Sequence, residues 1–290
     1  MTNDILTADA VASVAANIVG QDMNLAALLY KDLANEFVGG RGSTVRVRVP
    51  GAVPSRTRNA FDTTTAMAVD TIAEVGISVT LDTLAYSNVA LAPGDLDLAL
   101  EDHAAQVLRP QASSIAKHIE AATADAMSAT AATALTYSAA DPAKTFTAIR
   151  RTLRSNGVPA DARLIAAVGA NVYADLLDAD AFDENGKVRG FEVHESTRIA
   201  ADDVIGFIPE AYALVVRAPE VPAGAPYGAS VRENGFALTH LRAFDANTAA
   251  DRSIVEALVA VQPMPLPVDN EDGTVTLLTD GGAVRVNTAA

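Results

Sequence analysis

The stretch that decides the fold is residues 93–134, PGDLDLALEDHAAQVLRPQASSIAKHIEAATADAMSATAATA. Its apolar side chains recur at steps of three and four residues, which is the spacing of one face of an α-helix. These side chains are Leu96, Leu100, Ala104, Val107, Ile115, Ile119, Ala122 and Ala126. Pro110 lacks the backbone N–H donor and must kink or restart the helix. The pattern predicts one long helix, interrupted at Pro110, whose apolar face needs a partner.

The two ends of this predicted helix differ in chemistry. Its first two turns carry four acids, which the positive end of a helix dipole favours. They are Asp95, Asp97, Glu101 and Asp102. From residue 121 to residue 134, eight of fourteen residues are alanine, so another backbone can approach closely at that end.

Composition restricts the class of protein. The chain has 290 residues, enough for one large or two small domains with a sizeable core. Half of the residues are hydrophobic. No apolar run reaches the roughly 18 residues of a membrane span, and no signal-peptide pattern opens the sequence, so a soluble protein is expected. The absence of cysteine excludes disulfides, thiolate metal sites and a cysteine nucleophile.

The charge balance argues against tight binding of nucleic acid. Twenty-one basic residues oppose 36 acidic ones, for a net charge of -15, which is the wrong sign for contacts to phosphate. The charges are also unevenly placed. Residues 41–60 hold five arginines and no acid, whereas residues 61–108 hold eight acids and neither lysine nor arginine.

The segment before the long helix predicts two short helices and a long two-stranded excursion. The first helix has its apolar stripe at Val11, Val14 and Ile18. The second stripe comprises Leu25, Leu28, Leu29, Leu33 and Phe37. Residues 44–49 and 75–81 then alternate apolar with polar side chains, which predicts two antiparallel strands. Such a pair is marginal by itself in water, so we expect it to be flexible until it lies on another surface. A further strand over 83–90 leads into the long helix.

The second half of the chain has the pattern of a mixed α/β region of about one domain. Helices are predicted over 141–157 and 171–179, and strands over 164–168, 188–194, 212–217, 236–244 and 254–261. Three prolines at 263, 265 and 267 predict a stiff exit. A terminal hairpin is predicted from two strand patterns, over 274–278 and 283–286, on either side of the turn residues Asp280-Gly281-Gly282.

None of the short motifs predicts a catalytic, metal or cofactor site. Ser114 and Lys117 match an S-x-x-K pattern, but the companion motifs of serine acyl-transferases are missing. Asp183, Asn185, Gly186 and Glu192 fall at positions of a calcium loop whose first ligand position is Ala181, which cannot ligate. We interpret that segment as a glycine turn. The four histidines lack metal-ligand spacing, and the acid pairs 101–102 and 202–203 are interpreted as solvated faces.

The order of elements resembles the major capsid proteins of tailed bacteriophages, which have the Hong Kong 97 fold. The similarity covers roughly residues 20–262. The stretches that carry it are residues 23–37, 42–50, 81–91 with the acidic helix and its Leu108-Arg109-Pro110, 156–159 with 163–168 and 173–177, and 207–219 with 235–245.

The resemblance implies an α+β fold with defined parts. These are an N-terminal arm (1–41), an extended two-stranded loop (42–91), a peripheral domain with a long spine helix (92–140), an axial α/β domain (141–250), a return strand of the peripheral domain (251–267) and a C-terminal hairpin (268–290). It implies a structural protein, not an enzyme, that self-assembles as pentamers and hexamers into an icosahedral head shell. That shell would enclose double-stranded DNA without reading its sequence.

The resemblance also implies partners and a location. A portal is expected, and a decoration protein is an optional partner. A separate scaffolding protein is expected because no long charged helical extension precedes the arm. Assembly is expected in the bacterial host cytoplasm, and the product is the virion capsid. Some members cross-link their shells through a lysine in the extended loop. Here the lysines are residues 31, 117, 144 and 187, so we predict no such cross-link.

The charge asymmetry predicts a contact between subunits in such a shell. We hypothesise that Arg41, Arg46, Arg48, Arg56 and Arg58 lie on Asp95, Asp97, Glu101 and Asp102 of a neighbouring subunit. Individual exposed pairs contribute only about 0 to 1 kcal/mol, but a shell repeats them many times. The alternative is a merely solvated charged surface. Two further functions stay open at this point: an encapsulin-like compartment shell, and an α/β enzyme with an unrecognised site.

Overall fold

The computed structural model of this chain describes residues 8–21, 23–32, 44–49, 53–72, 74–91, 107–225, 227–233, 236–246, 250–270 and 272–288. These residues contain four α-helices and fourteen strands. The helices are α1 Ala8–Gln21, α2 Arg109–Ser128, α3 Ala143–Ser155 and α4 Ala170–Asp178. The strands are β1 Thr44–Val49, β2 Val75–Thr80, β3 Thr83–Leu91, β4 Leu164–Val168, β5 Lys187–Val188, β6 Phe191–Glu195, β7 Asp203–Phe207, β8 Tyr212–Arg217, β9 Tyr227–Glu233, β10 Phe236–Asp245, β11 Ala250–Pro263, β12 Leu266–Asp269, β13 Val275–Leu278 and β14 Ala283–Asn287.

The first of two five-stranded sheets has the order β3-β11-β10-β9, with β8 also paired to β11. Helix α2 packs on this sheet across β3 and β11, and α1 packs beside it on β9 and β10. We call this assembly the helix-backed sheet. Ile115 and Ile119 of the predicted stripe are buried in its core. Towards the end of the helix the buried face differs from the prediction, because Ala122 and Ala126 are only partly buried and Ala124 and Met127 are buried instead.

The predicted interruption at Pro110 takes the form of a helix start. Helix α2 begins at Arg109, and the proline lies in its first turn. A proline is tolerated there, since the first turn has no N–H partner within the helix. The helix ends at Ser128. Ala132 then pairs with Arg285 in an isolated β-bridge of the backbone. Residues 92–106, including the four acids of the predicted first turns, lie outside the described residues.

The face that α1 buries agrees with the prediction only in part. Ile18 of the predicted stripe packs against the core, but Val14 is 45% exposed and the buried side chains are Ala12, Ala15, Ala16 and Val19. Alanines allow the helix axis to approach the sheet closely, so three small side chains make up most of the packed face. Within residues 23–32, the predicted second helix contains a 3₁₀ turn at Ala26–Leu28, and Leu25 and Leu29 are buried as expected. Leu33 and Phe37 of its predicted stripe lie outside the described residues.

The second sheet has the order β14-β7-β4-β6-β5 and forms the centre of the C-terminal half. We call it the central sheet. Helix α3 packs on β7 and β14, with Phe146, Ile149 and Leu153 fully buried as predicted. Gly157 ends this helix with φ +97°, a left-handed conformation that favours glycine.

Strands β7, β9 and β12 were not predicted, and the predicted strand 188–194 is divided in two. The chain turns between β5 and β6 at Arg189 and Gly190, which have φ values of 51° and 87°. Two successive positive φ values are typical of the tight turn in a two-residue hairpin.

The strand pairing predicted for the C-terminal hairpin is wrong. Its two strands exist, but β13 pairs with β12, and β14 pairs with β7 at the edge of the central sheet. Ala283, Val284 and Val286 are buried there. The C-terminal strand therefore belongs to the core of the second half of the chain. The division of the chain into arm, loop and domains stays a prediction.

A buried ion pair holds β14 in register. Asp203, interpreted from sequence as a solvated acid, is fully buried, and its Oδ2 accepts from Nε of Arg285 at 2.9 Å. Asn287 donates to the other carboxylate oxygen at 2.9 Å. Arg285 Nη1 also donates to the carbonyl oxygen of Ser128, the last residue of α2, at 2.6 Å. One arginine thus joins the C-terminal strand, the central sheet and the end of the long helix.

Replacing Arg285 with alanine should destabilise the folded subunit by about 3 to 5 kcal/mol, because it leaves a buried carboxylate without its cation. Urea unfolding of dispersed subunits, followed by circular dichroism, measures this change. The matched control is Arg163→Ala, which removes a mostly exposed pair with Glu192 and should cost less than about 1 kcal/mol. Equal effects of the two substitutions would contradict the importance of the buried pair.

Candidate assembly surface

The most exposed structure in the described part of the chain is the antiparallel pair β1–β2 with residues 53–72 beyond it. We call β1 and β2 the ribbon and residues 53–72 the ribbon loop. The register runs from Thr44 opposite Thr80 at the base to Val49 opposite Val75 at the far end. This antiparallel pairing confirms the sequence-based prediction.

A small apolar cluster fixes the base of the ribbon to the helix-backed sheet. Its buried members are Val79, Leu81, Ala213 and Val215. Val45, Val47, Leu258 and Met264 pack around them while remaining partly exposed. The ribbon is therefore anchored at one end and extends from the body at the other.

The ribbon loop exposes apolar side chains that a folded subunit would ordinarily bury. Phe61 is 92% exposed and Val69 is 94% exposed. Val53, Met67 and Ile72 are also exposed. Several exposed apolar side chains on one projecting segment indicate a surface that another protein covers.

Three arginines of the ribbon and the ribbon loop have partners within the chain. Arg56 forms a two-pronged ion pair with Asp70, at 3.0 Å from Nε and 2.7 Å from Nη2. Arg58 donates to the carbonyl oxygen of Thr65 at 2.7 Å, and Arg48 lies 3.7 Å from Glu74. Arg46 crosses over Gly76, where a Cβ would lie 1.9 Å from its Nε.

The acidic half of the hypothesised contact cannot be placed. Arg41, Asp95, Asp97, Glu101 and Asp102 all lie outside the described residues. The pairing of these acids with the ribbon of a neighbour therefore stays a prediction. Within the described residues, the structure brings Arg56 together with Asp70 instead, a partner that the sequence analysis did not name.

Two carboxylates of the ribbon loop are held in their charged form. The hydrogen bond from Arg56 lowers the pKa of Asp70. Hydrogen bonds from Thr65 and Thr64 lower the pKa of Asp62, whose Oδ1 accepts from the backbone N–H of Thr64 at 2.8 Å. Both acids therefore favour the closed loop at neutral pH.

A second exposed area lies on the face of the helix-backed sheet that the helices leave open. Leu84 and Tyr86 of β3 are 45% and 67% exposed. Glu256 lies directly opposite Tyr86 on β11. Burial raises the pKa of Glu256, and among the described residues no ion pair is found for it. A carboxylate that is partly desolvated without a cation could accept one from another subunit.

The N-terminal segment is held by contacts to helix α2 and to strand β8. The carboxylate of Glu120 on α2 accepts from the backbone N–H groups of Asn24, Leu25 and Ala26 at 2.7, 3.1 and 3.0 Å. Tyr30 forms a bridge with Ala213 of β8. This role of Glu120 was not predicted, because no local sequence pattern distinguishes it from the other charged residues of a helix.

The remaining motifs have structural explanations. Ser114 and Lys117 are both exposed on α2. Asp183 Oδ1 accepts from the backbone N–H groups of Asn185 and Lys187, each at 2.9 Å, as in a simple turn. Glu192 forms ion pairs with Arg163 and Lys187, so its carboxylate is already occupied. Across the described ranges, no cluster of three or more His, Asp or Glu side chains could hold a metal ion.

An open hollow of about 530 Å³ lies between the start of α3, the end of α4 and the β5–β6 turn. No helix in the described part of the chain is long and apolar enough to span a membrane.

Solved structures share this fold at low sequence identity. A structure of Mycobacterium phage Che8 matches with a TM-score of 0.59 and 16% identity over 92% of both chains. The capsid asymmetric unit of cyanophage A-1(L) matches with a TM-score of 0.59 and 12% identity over 99% of this chain and 98% of that one. A virus-like particle from Pyrococcus furiosus matches with a TM-score of 0.54 and 12% identity over 96% and 98%. No protein-family model and no curated protein matches the sequence.

These matches extend over almost the whole chain and include both sheets. The chain therefore has the Hong Kong 97-type fold of tailed-phage capsid proteins, and the α+β fold class expected from the sequence is confirmed. The likeness also reaches the C-terminal residues for which the sequence resemblance had no counterpart.

The closure of the ribbon loop should depend on pH. Because the pKa of Asp70 lies below its ordinary value of 3.8, its ion pair stabilises the folded loop above that pH and is lost as the pH falls through the folded-state pKa. Arg56→Gln should therefore speed hydrogen–deuterium exchange in residues 53–72 at neutral pH. The difference from the unmodified chain should shrink as the pH falls below 3.8.

The comparison of two chains at each pH removes the intrinsic pH dependence of exchange. If the difference in exchange rate between Arg56→Gln and the unmodified chain stays constant down to the lowest pH at which the chain is folded, the ion pair does not close the loop. Arg151→Gln on the exposed side of α3 is the matched control, and it should leave exchange in the loop unchanged at every pH.

Proposed function

We propose that this chain is the major capsid protein of a tailed phage or prophage, which self-assembles into an icosahedral shell around packaged double-stranded DNA. The observation that carries the proposal is the capsid fold combined with the exposed apolar ribbon loop. A subunit that exposes Phe61 and Val69 almost completely has a surface suited to cover by another copy of the chain. Pentamers and hexamers are the corresponding assemblies.

The proposed role is structural and not enzymatic. The support is the fold and the use of the candidate polar motifs in turns and ion pairs. The net charge of -15 suits a shell that contains DNA without adhering to it. A separate scaffolding protein, a portal, a decoration protein and assembly in the host cytoplasm remain part of the proposal.

We infer that the ribbon lies on a neighbouring subunit and that its arginines help to set the register. Arg46 and Arg48 project from β1 on one face of the ribbon, and both are exposed. Acidic surface of the neighbour is the complementary partner, either the acids at 95–102 or Glu256 on the open face of the helix-backed sheet. Contacts of this kind steer association more than they add affinity.

A second candidate function follows from the match to the Pyrococcus furiosus virus-like particle. An encapsulin-like compartment shell would use the same fold with a protein cargo in place of a genome. The contents of the particle separate the two functions, because only the capsid is expected to protect DNA from nuclease.

The deciding experiment is expression of the chain alone and then with a candidate scaffolding protein from the same genome. Electron microscopy and light scattering should show closed shells in at least one of the two conditions. Nuclease-resistant DNA in particles from a phage infection supports the capsid, whereas a co-purifying enzyme supports the compartment. A monodisperse monomer under both conditions would overturn both shell functions.

Charge reversal on the ribbon tests the proposed register. Arg46→Glu together with Arg48→Glu should slow shell assembly several-fold at low salt and reverse its dependence on salt, because like charges would meet at the contact and added salt would screen their repulsion. Light scattering during assembly at two salt concentrations measures both effects. The matched control reverses Arg151 and Arg198, two exposed arginines outside the ribbon. Equal rates for both double variants and the unmodified chain would refute the contact.

A further inference from the structure

The hairpin β12–β13 lies between the central sheet and the ribbon. Four pairs join its strands, from Leu266 opposite Leu278 to Asp269 opposite Val275. It was not predicted from sequence, since its second strand was assigned to a different partner. Its two ends make different contacts, and these contacts indicate a role.

The base of the hairpin is fixed to the body of the subunit. The backbone N–H of Met264 donates to the carbonyl oxygen of Ala211 at 2.8 Å. Asn156, at the end of α3, donates to the carbonyl oxygen of Gly281 at 3.0 Å. Val268 packs over Gly157, where a Cβ would meet it at 3.2 Å. The base therefore moves with α3 and the central sheet.

The described residues of the hairpin tip, 270 and 272–274, form hydrogen bonds with one another. Asp272 Oδ1 accepts from the backbone N–H of Thr274 at 2.9 Å and from its hydroxyl at 2.6 Å. The Asn270 side chain donates to the hydroxyls of Thr274 and Thr276 at 2.9 and 2.8 Å. These hydrogen bonds make the turn rigid enough to support the segment that it contacts.

The tip touches the start of the ribbon loop. Gly273 has φ +83°, and a Cβ on it would lie 2.1 Å from Cδ of Pro54 and 2.6 Å from its backbone nitrogen. Two residues after Pro54, Arg56 begins the ion pair that closes the loop. Nearer the base, the Gln262 side chain donates to the carbonyl oxygen of Ser78 on β2 at 3.0 Å.

We propose that the hairpin β12–β13 is a brace that sets the direction of the ribbon. A two-stranded ribbon is marginal by itself, and this one is supported at its base by the apolar cluster, at Ser78 by Gln262 and beyond β1 by the hairpin tip. Gly273 is the positioning residue, because only glycine combines its positive φ with the close approach to Pro54. The consequence for shell geometry rests on the proposed function, but the brace itself does not.

Gly273→Ala tests the contact, with Gly186→Ala as its matched control. Gly186 has φ +70° in an exposed turn, and a Cβ there meets nothing within 4 Å. Both variants introduce the same kind of backbone strain, but only Gly273→Ala pushes on the ribbon loop. In dispersed subunits, hydrogen–deuterium exchange of β1, β2 and residues 53–72 should become about fivefold faster in Gly273→Ala and stay unchanged in Gly186→Ala.

A shortened hairpin provides a second test that does not depend on strain. Replacing residues 270–274 with Asn-Gly keeps Asp269 opposite Val275 through a two-residue turn, but it removes the tip. This variant should show the same faster exchange in the ribbon loop. It should also be cut faster by trypsin after Arg56 and Arg58 than the unmodified chain.

Unchanged exchange in the ribbon and its loop in both variants would overturn the brace. This result is distinguishable from failure of the proposed function, because exchange is measured on dispersed subunits. Faster exchange in a chain that never forms shells would support the brace and refute the capsid. Normal shells from the shortened variant, together with unchanged exchange, would support the capsid and refute the brace.

Discussion

The buried ion pair between Asp203 and Arg285 is the constraint on which the arrangement of the subunit depends. A carboxylate with no solvent contact requires a cation and hydrogen-bond donors, and both are supplied by the C-terminal strand β14. The same arginine reaches the carbonyl oxygen of Ser128 at the end of α2. The central sheet, the C-terminal strand and the long helix are therefore positioned together. A shift in any one of them exposes a buried charge to solvent or leaves it without its partner.

The helix-backed sheet is held by a different kind of interaction, namely close packing of small side chains. Ala12, Ala15 and Ala16 on α1 and Ala112 and Ala116 on α2 are completely buried, so the helices lie close to each other and to the strands beneath them. Glu120 sets the path of the N-terminal segment over α2, because its carboxylate accepts hydrogen bonds from three successive backbone N–H groups. The described core of both sheets is therefore built from residues of one chain.

The ribbon is the contrasting part of the molecule. Its base has a small core of its own, its sides are supported by Gln262 and the β12–β13 hairpin, and its loop exposes Phe61 and Val69. Its arginines are partly satisfied by Asp70 and Glu74, so a neighbouring subunit would compete with existing partners and would gain little energy from each charge.

The sequence by itself determined the elements whose pattern is local. The alternation of 44–49 with 75–80, the stripe of Phe146, Ile149 and Leu153, and the helix end at Gly157 all depend on neighbours within a few turns or one hairpin, and each was predicted correctly. Only the tertiary structure decided which strands pair over long distances. It placed β14 beside β7 rather than β13, buried Asp203 rather than exposing it, and brought Gly273 against Pro54. The physical reason is that an alternating strand pattern specifies a face but not a partner. A partner is chosen by the burial and charge of the assembled sheet, which no local window of sequence contains.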